Sequence, residues 1–208
     1  AHSAVVATEH IGLNVKGMSV AVEGFGNVGT FASQHLSDFG AKIVGVSDSK
    51  GMIYNEDGLD IKKLMNVKKK TGSVVNYKPG KVLPNREIFE LPVDIVIPGA
   101  LPDVITKDNV NNIKAKIVVE AANIPMTTEM EEILHKKGVL VVPDFVANAG
   151  GVISSYAEYV GHNPKSMFEL VEQKIKRNVK LVLDRAKKES VKPRDAAMKI
   201  AQERVRNG

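Results

Sequence analysis

The chain has 208 residues, 43% of them hydrophobic and 25% charged, which is ordinary for a globular domain able to bury a sizeable core. It has no cysteine, which excludes disulfides and thiol chemistry, and it shows neither a membrane-length apolar stretch nor a signal peptide, so a cytoplasmic setting is the simplest reading. The net charge of +5 arises from lysines and arginines that alternate with acids along helices, without a basic stripe interleaved with aromatics, so no nucleic-acid partner is expected.

Residues 1–12 carry Val5, Val6 and Ile11 among small residues and predict a helix ending near Gly12. The first residue is Ala1, already inside that helix, which suggests a fragment or a processed chain. Asn14 to Gly17 make a turn into a first strand over Met18 to Glu23. That strand runs into Gly24-Phe25-Gly26-Asn27-Val28-Gly29, and Thr30 to Leu36 then show helical spacing. Strand, glycine turn and helix in this order are the pattern of a dinucleotide-binding, Rossmann-type unit. Gly24 lets the backbone turn off the strand, Gly26 lets a pyrophosphate approach the main chain, and Gly29 lets the helix pack closely on the strand. The helix N-terminus then presents free N–H groups and the positive end of its dipole to the phosphates.

A second strand covers Ala41 to Asp48. Asp48 lies about twenty residues past the last glycine, where a carboxylate accepts hydrogen bonds from the adenosine ribose. Ser49 to Gly58 are rich in turn formers, and a helix follows with Leu59, Ile61, Leu64 and Met65 on its buried face. Lys68-Lys69-Lys70 read as its solvated end, not as a binding site.

Residues 72–91 are less regular: Val74 to Tyr77 suggest a short strand, and Pro79-Gly80 a turn. Val93 to Ile97, Lys116 to Glu120 and Val139 to Val142 are apolar runs of the kind buried on both faces of a parallel sheet. Short helices are expected between them at 106–113 and 127–137, the second capped by Thr127 or Thr128. This alternation predicts an α/β fold with a doubly wound, mostly parallel sheet over 18–146. From 147 to 208 only helices are expected: one through Val152, Ile153, Tyr156 and Val160, a long one over 165–189, and a last one after Pro193. They should pack back on the sheet.

Ligands of open α/β sheets bind beyond the carboxyl ends of the strands. The residues at those ends are Gly24 to Gly29, Asp48-Ser49, Pro98 to Ala100, Ala122 to Pro125 and Asp144 to Gly151. Asn123 and Asn148 each donate and accept, as a ribose or a carboxamide requires, although asparagine also serves ordinary loop turns. The five histidines share no ligand spacing, and no metal site or Ser/His/Asp constellation is expected.

Gly24-Phe25-Gly26-Asn27-Val28-Gly29, Ser47-Asp48-Ser49-Lys50-Gly51, Glu120 to Pro125 and Pro143 to Val152 occur in this order, and together the chain resembles the coenzyme-binding domain of the glutamate, leucine, phenylalanine and valine dehydrogenases. The resemblance implies that Gly26 to Val28 line the pyrophosphate and Asp48 with Ser49 the adenosine ribose. It likewise implies Ala100 near the adenosine, Asn123 near the nicotinamide ribose and Asn148 near the nicotinamide and the amino acid. Val152 and Ser155 would contact substrate, and the Ser155 hydroxyl suits the carboxylate end of glutamate or 2-oxoglutarate. The family's reactive lysines and carboxylate belong to a separate N-terminal domain that this sequence does not contain, so no catalytic residue is assigned here. The intact enzyme would be a homo-hexamer, and this chain alone a monomer or dimer. A negative Asp48 favours NAD, with Lys50 and the neighbouring serines leaving NADP open. Two other readings stand beside glutamate oxidation: a branched-chain or aromatic amino-acid dehydrogenase, and a dinucleotide sensor that performs no chemistry.

Overall fold

Residues 1–207 are described by a computed structural model. The strands are β1 (Ser19–Glu23), β2 (Lys42–Asp48), β3 (Gly51–Tyr54), β4 (Lys81–Leu83), β5 (Ile95–Pro98), β6 (Ile117–Val119) and β7 (Leu140–Val142). The helices are α1 (His2–His10), α2 (Asn27–Asp38), α3 (Ile61–Thr71), α4 (Thr128–Lys136), α5 (Asp144–Ala147), α6 (Gly150–Tyr159), α7 (Pro164–Glu189) and α8 (Pro193–Arg206). One seven-stranded sheet holds them in the order β4-β3-β2-β1-β5-β6-β7. Strands β1, β2, β5, β6 and β7 are parallel, while β3 and β4 extend the β2 edge antiparallel. The chain leaves β1 for β2 on one side and later enters β5 on the other. The strand order therefore reverses beside β1, which is where such sheets open a crevice.

Alternation, broken once by a register shift in β2 between Ile43 and Gly45, divides the strand side chains between two cores. Val20, Val22, Ile43, Val46, Ile95, Ile97, Ile117 and Val119 pack against Ala4 and Ala7 of α1, Leu36 of α2, Leu64 of α3 and Ile175, Val179 and Leu183 of α7. Ala21, Val44, Val96, Val118 and Val141 face the other way, onto Ile88, Phe89, Val110, Met130 and Leu134. The strands are hydrophobic on both faces because both faces are covered. The C-terminal helices return to the sheet as their apolar spacing predicts. Thr127 caps α4 through Met130 N–H, and Asn163 caps α7 ahead of Pro164. Among the described residues no helix is long and apolar enough to cross a membrane.

Five local expectations are corrected. Val74 to Asn76 form a single 3-10 turn instead of a strand, because the Ser73 hydroxyl takes Val75 N–H and the Asp48 carboxylate takes Val74 N–H. The turn-rich segment after Asp48 hides β3, which pairs back on β2 across Ser49-Lys50. Residues 81–83 add β4, an edge strand too short to show a pattern. The helix expected at 106–113 is only a 3-10 turn at Val110–Asn112, with Asn109 satisfying Thr106 N–H and the Val104 carbonyl. Helix α2 also begins at Asn27, inside the glycine motif and three residues before Thr30.

Candidate functional site

The three glycines have three different surroundings. Gly24 holds φ at 91°, and a Cβ built there would lie 2.6 Å from the Ala100 Cβ. Only glycine permits β1 to turn at this point against the β5 loop. A Cβ on Gly29 would lie 1.8 Å from the Gly24 carbonyl oxygen, so α2 and β1 approach as closely as backbones can. Nothing lies within 4 Å of a Cβ built on Gly26. That space opens at the N-terminus of α2, which no side chain caps. Gly26, Asn27 and Val28 are exposed there, whereas the Phe25 ring is buried and only its main chain reaches the crevice. An exposed helix start with uncapped N–H groups and no Cβ in front of it is a cradle for an anion.

At the end of β2 the Asp48 carboxylate is turned inward. One oxygen accepts from the Ser73 hydroxyl at 3.0 Å and Lys50 N–H at 2.9 Å; the other accepts from Val74 N–H at 2.8 Å. The Lys68 ammonium lies 3.6 Å away and donates to the Phe25 carbonyl of the glycine turn at 2.8 Å. Burial opposes ionisation of Asp48, but these N–H and hydroxyl donors and the ammonium outweigh it and hold the carboxyl below its usual range. Ser49 is exposed. Lys68, read from the sequence as part of a solvated helix end, therefore belongs to the crevice. Spacing along α3 alone could not reveal that, since its partners lie in two other segments.

Glu23, a buried acid at the end of β1, fastens the β5 loop by accepting from Gly99 N–H at 3.0 Å and Ala100 N–H at 2.9 Å. Burial pushes its carboxyl up, against the pull of those N–H groups. Glu23→Leu should cost about 1 kcal/mol in urea unfolding, because it strands Ala100 N–H in a part-buried loop, while Gly99 N–H keeps the Glu23 main-chain carbonyl at 2.9 Å.

On the far side of the switch point the two asparagines meet. Asn148 Nδ2 donates to Asn123 Oδ1 at 2.7 Å. The loops that carry them are joined by a buried charge network. Arg194, at the start of α8, reaches Glu131 (2.6 Å), Glu120 (2.7 Å) and Asp144 (3.0 Å). Glu120 also accepts Asp144 N–H at 2.7 Å, and Asp144 accepts Ile124 N–H at 2.9 Å. Ile124 sits at φ 48°, a left-handed conformation that a β-branched residue rarely adopts. Burial pushes Glu120 up to about 7, offset in part by Arg194 and the Asp144 N–H, while Asp144 stays below its usual range. Glu120 and Asp144 were read only as members of segments at the strand ends, and Glu131 and Arg194 carried no signal, because the network joins the end of β6, α4, α5 and α8 only in the folded chain.

Val152 and Ser155 lie on one exposed face of α6, with Tyr156 and Tyr159 alongside. The Ser155 hydroxyl donates to the Gly151 carbonyl at 3.1 Å. Gly24 to Gly29, Asp48-Ser49, Ala100, Asn123 and Asn148 all follow the carboxyl ends of β1, β2, β5, β6 and β7 at one edge of the sheet. The cradle at Gly26 and the donor sets beside it fit a dinucleotide. The described residues include no group of three His, Asp or Glu arranged to hold a metal.

Comparison with known proteins agrees with this geometry. The model of the Glutamate/Leucine/Phenylalanine/Valine dehydrogenase family matches residues 1–208. A glutamate dehydrogenase of Aeropyrum pernix is 48% identical over 96% of this chain and 50% of its own length. An NADP-specific glutamate dehydrogenase of Saccharolobus shibatae is 44% identical over 86% of this chain and 41% of its own. Among solved structures, the hetero-hexameric glutamate dehydrogenase of Thermus thermophilus in its Leu-bound form superposes with a TM-score of 0.88 at 30% identity, over 98% of this chain and 50% of that one. The chain thus spans about half the length of the curated relatives it matches. With the glycine turn at the sheet's switch point and the family match running from end to end, the chain belongs to the glutamate/leucine/phenylalanine/valine dehydrogenases.

Proposed function

We propose that residues 1–208 are the cofactor-holding domain of a glutamate dehydrogenase, made of a leading helix over 1–12, the sheet unit over 18–146 and a helical segment over 147–208. The intact enzyme would oxidatively deaminate L-glutamate to 2-oxoglutarate and ammonia, reversibly. The observation that carries this reading is the open, uncapped start of α2 at Gly26, framed by two glycines at which any Cβ would collide with neighbouring atoms. The main chain of Gly26 to Val28 would take the pyrophosphate, Ser49 and Ala100 would flank the adenosine ribose, and the Asn123–Asn148 pair would meet the nicotinamide end. When bound, the nicotinamide supplies the hydride acceptor. The cofactor is a nicotinamide dinucleotide, NAD or NADP.

Val152 and Ser155 would form one wall of the substrate site, and the Ser155 hydroxyl suits a carboxylate better than an apolar side chain does. The lysines and carboxylate that move protons would lie in the remaining half of the enzyme. The names of the relatives support glutamate over leucine as substrate, and comparing intact-enzyme rates on the two separates the readings. An oligomer follows the hexameric Thermus relative, a homo-hexamer being the form proposed for the whole enzyme. A cytoplasmic setting belongs to the same reading.

Titration with NADH, followed by nicotinamide fluorescence, should saturate with one site per chain. Glutamate oxidation by this chain alone should remain at background. Absence of any dinucleotide binding would overturn the cofactor assignment, and appreciable turnover would overturn the division of labour between the two halves.

A further inference from the structure

A cavity of about 320 Å³ lies against β7, apart from the crevice. Its walls come from both faces of the sheet. Glu131 and His135 of α4 stand on the side of one core, and His10 of α1 with Leu183 and Ala186 of α7 on the side of the other. A space lined from both faces lies off an open edge of the sheet, and β7 is such an edge. Val139 and Leu140 set it at the amino end of β7, whereas the crevice follows the carboxyl ends of the strands.

Two polar features of this lining call for a partner. Glu131 is the one acid in it among the described residues, and it is 1% exposed. Its Oε2 is held by Arg194 at 2.6 Å, but its buried Oε1 takes no hydrogen bond. A buried carboxylate oxygen without a donor is costly, so such an atom marks a place where a donor is expected. The second feature is the peptide edge of Val141. Leu140 N–H donates to the Lys116 carbonyl, and the Val142 carbonyl accepts from Glu120 N–H, so both residues turn their peptide groups toward β6. Val141, between them, turns its N–H and carbonyl the other way, to the open edge. Val139, Leu183, Ala186 and Val191 make the rest of the wall apolar. Lys187 is exposed at the mouth and carries no ion pair among the described residues, whereas Lys192 is held by Glu132 at 3.1 Å.

We propose that this cavity binds a small carboxylic acid with an apolar body and a hydroxyl at its far end. The hydroxyl donates to Glu131 Oε1 and accepts from Val141 N–H, a pairing that suits a group able to do both at once. The body lies along the apolar wall, and the carboxylate meets Lys187 at the mouth. The volume falls at the lower end of the range for small-molecule sites, which suits a single ring with a short side chain. Glu131 shares Arg194 with Glu120 and Asp144, so a bound ligand completes the hydrogen bonding of that network and stabilises the folded chain. The site is separate from the crevice and stands independently of the cofactor reading.

The test is titration of the chain with para-hydroxyphenylacetate, followed by calorimetry and by the NMR signals of the side-chain methyl groups. Binding should saturate, with shifts at Val139, Val141 and Leu183 and none at Val28 in the glycine turn, and NADH should not displace the probe. Phenylacetate, which lacks the donor, should bind about tenfold more weakly. The neutral para-ethylphenol, which lacks the carboxylate, should bind about threefold more weakly. Lys187→Gln, at an exposed position, should weaken para-hydroxyphenylacetate about threefold and leave para-ethylphenol unchanged. Val191→Phe, which fills the cavity from its mouth, should abolish binding of both, with circular dichroism melts keeping a folding defect apart from a binding one. Absence of saturable para-hydroxyphenylacetate binding, equal binding of phenylacetate, shifts confined to the glycine turn, displacement by NADH, or unchanged affinity in folded Lys187→Gln would each overturn the proposal.

Discussion

Gly29→Ala should lower stability by about 3 kcal/mol, whereas Gly26→Ala should change it by less than about 0.5 kcal/mol while cutting dinucleotide affinity about tenfold or more. The contrast follows from where the added methyl goes. On Gly29 it would lie 1.8 Å from the Gly24 carbonyl oxygen, so α2 must move away from β1. That movement also withdraws the helix start from the crevice. On Gly26 the methyl meets no protein atom within 4 Å, and φ of −81° suits any L residue, so folding proceeds without strain. The methyl instead fills the space in front of the uncapped N–H groups. Urea unfolding and NADH titration on both variants separate the two effects. Equal loss of stability in both would mean that Gly26 serves the fold, and unchanged affinity in Gly26→Ala would move the phosphate elsewhere.

Arg194→Met should be the most disruptive substitution outside the glycine turn, at about 3–5 kcal/mol. The guanidinium is the shared partner of Glu120, Glu131 and Asp144, all buried, and without it three carboxyls face one another with no compensating charge. The loops holding Asn123 and Asn148 hang on that network, so nicotinamide-side affinity should fall with it.

The same network gives stability a pH signature. Burial raises Glu120 from 4.5 to about 7 in the folded chain. The folded state therefore keeps a proton that the unfolded state has already released between those values. Stability must fall as pH rises through that window, by up to about 3 kcal/mol, and level off above it. Asp48 and Asp144 are held below their ordinary range, so their contributions are full in this window and are lost only in stronger acid. Glu120→Gln keeps an acceptor for Arg194 and Asp144 N–H without a titrating proton. It should flatten the unfolding free energy between pH 5 and 7, and an unchanged slope would assign the dependence to another group.

The architecture was legible because its signals are local and repeated. Runs such as Ile95 to Ile97 and Val139 to Val142 are apolar throughout, which suits strands covered on both faces, and the glycine order encodes a turn whose sterics are those of the backbone itself. The antiparallel strands β3 and β4 were not legible. They are short and antiparallel, and they owe their conformation to pairing, β3 with β2 and β4 with β3, instead of to any pattern of their own.

The amino-acid sequence alone determined the sheet's five parallel strands and which segments follow their carboxyl ends, since side-chain period and backbone sterics need no distant partner. Tertiary structure alone decided where the charges point. Asp48 turns inward because Ser73 and Val74 arrive from beyond α3, Lys68 leaves the solvated end of its helix for the glycine turn, and Arg194 gathers three acids from three other segments. A buried charge takes its orientation from whichever donors come within hydrogen-bond reach, and here those donors lie about 25 to 75 positions away along the chain.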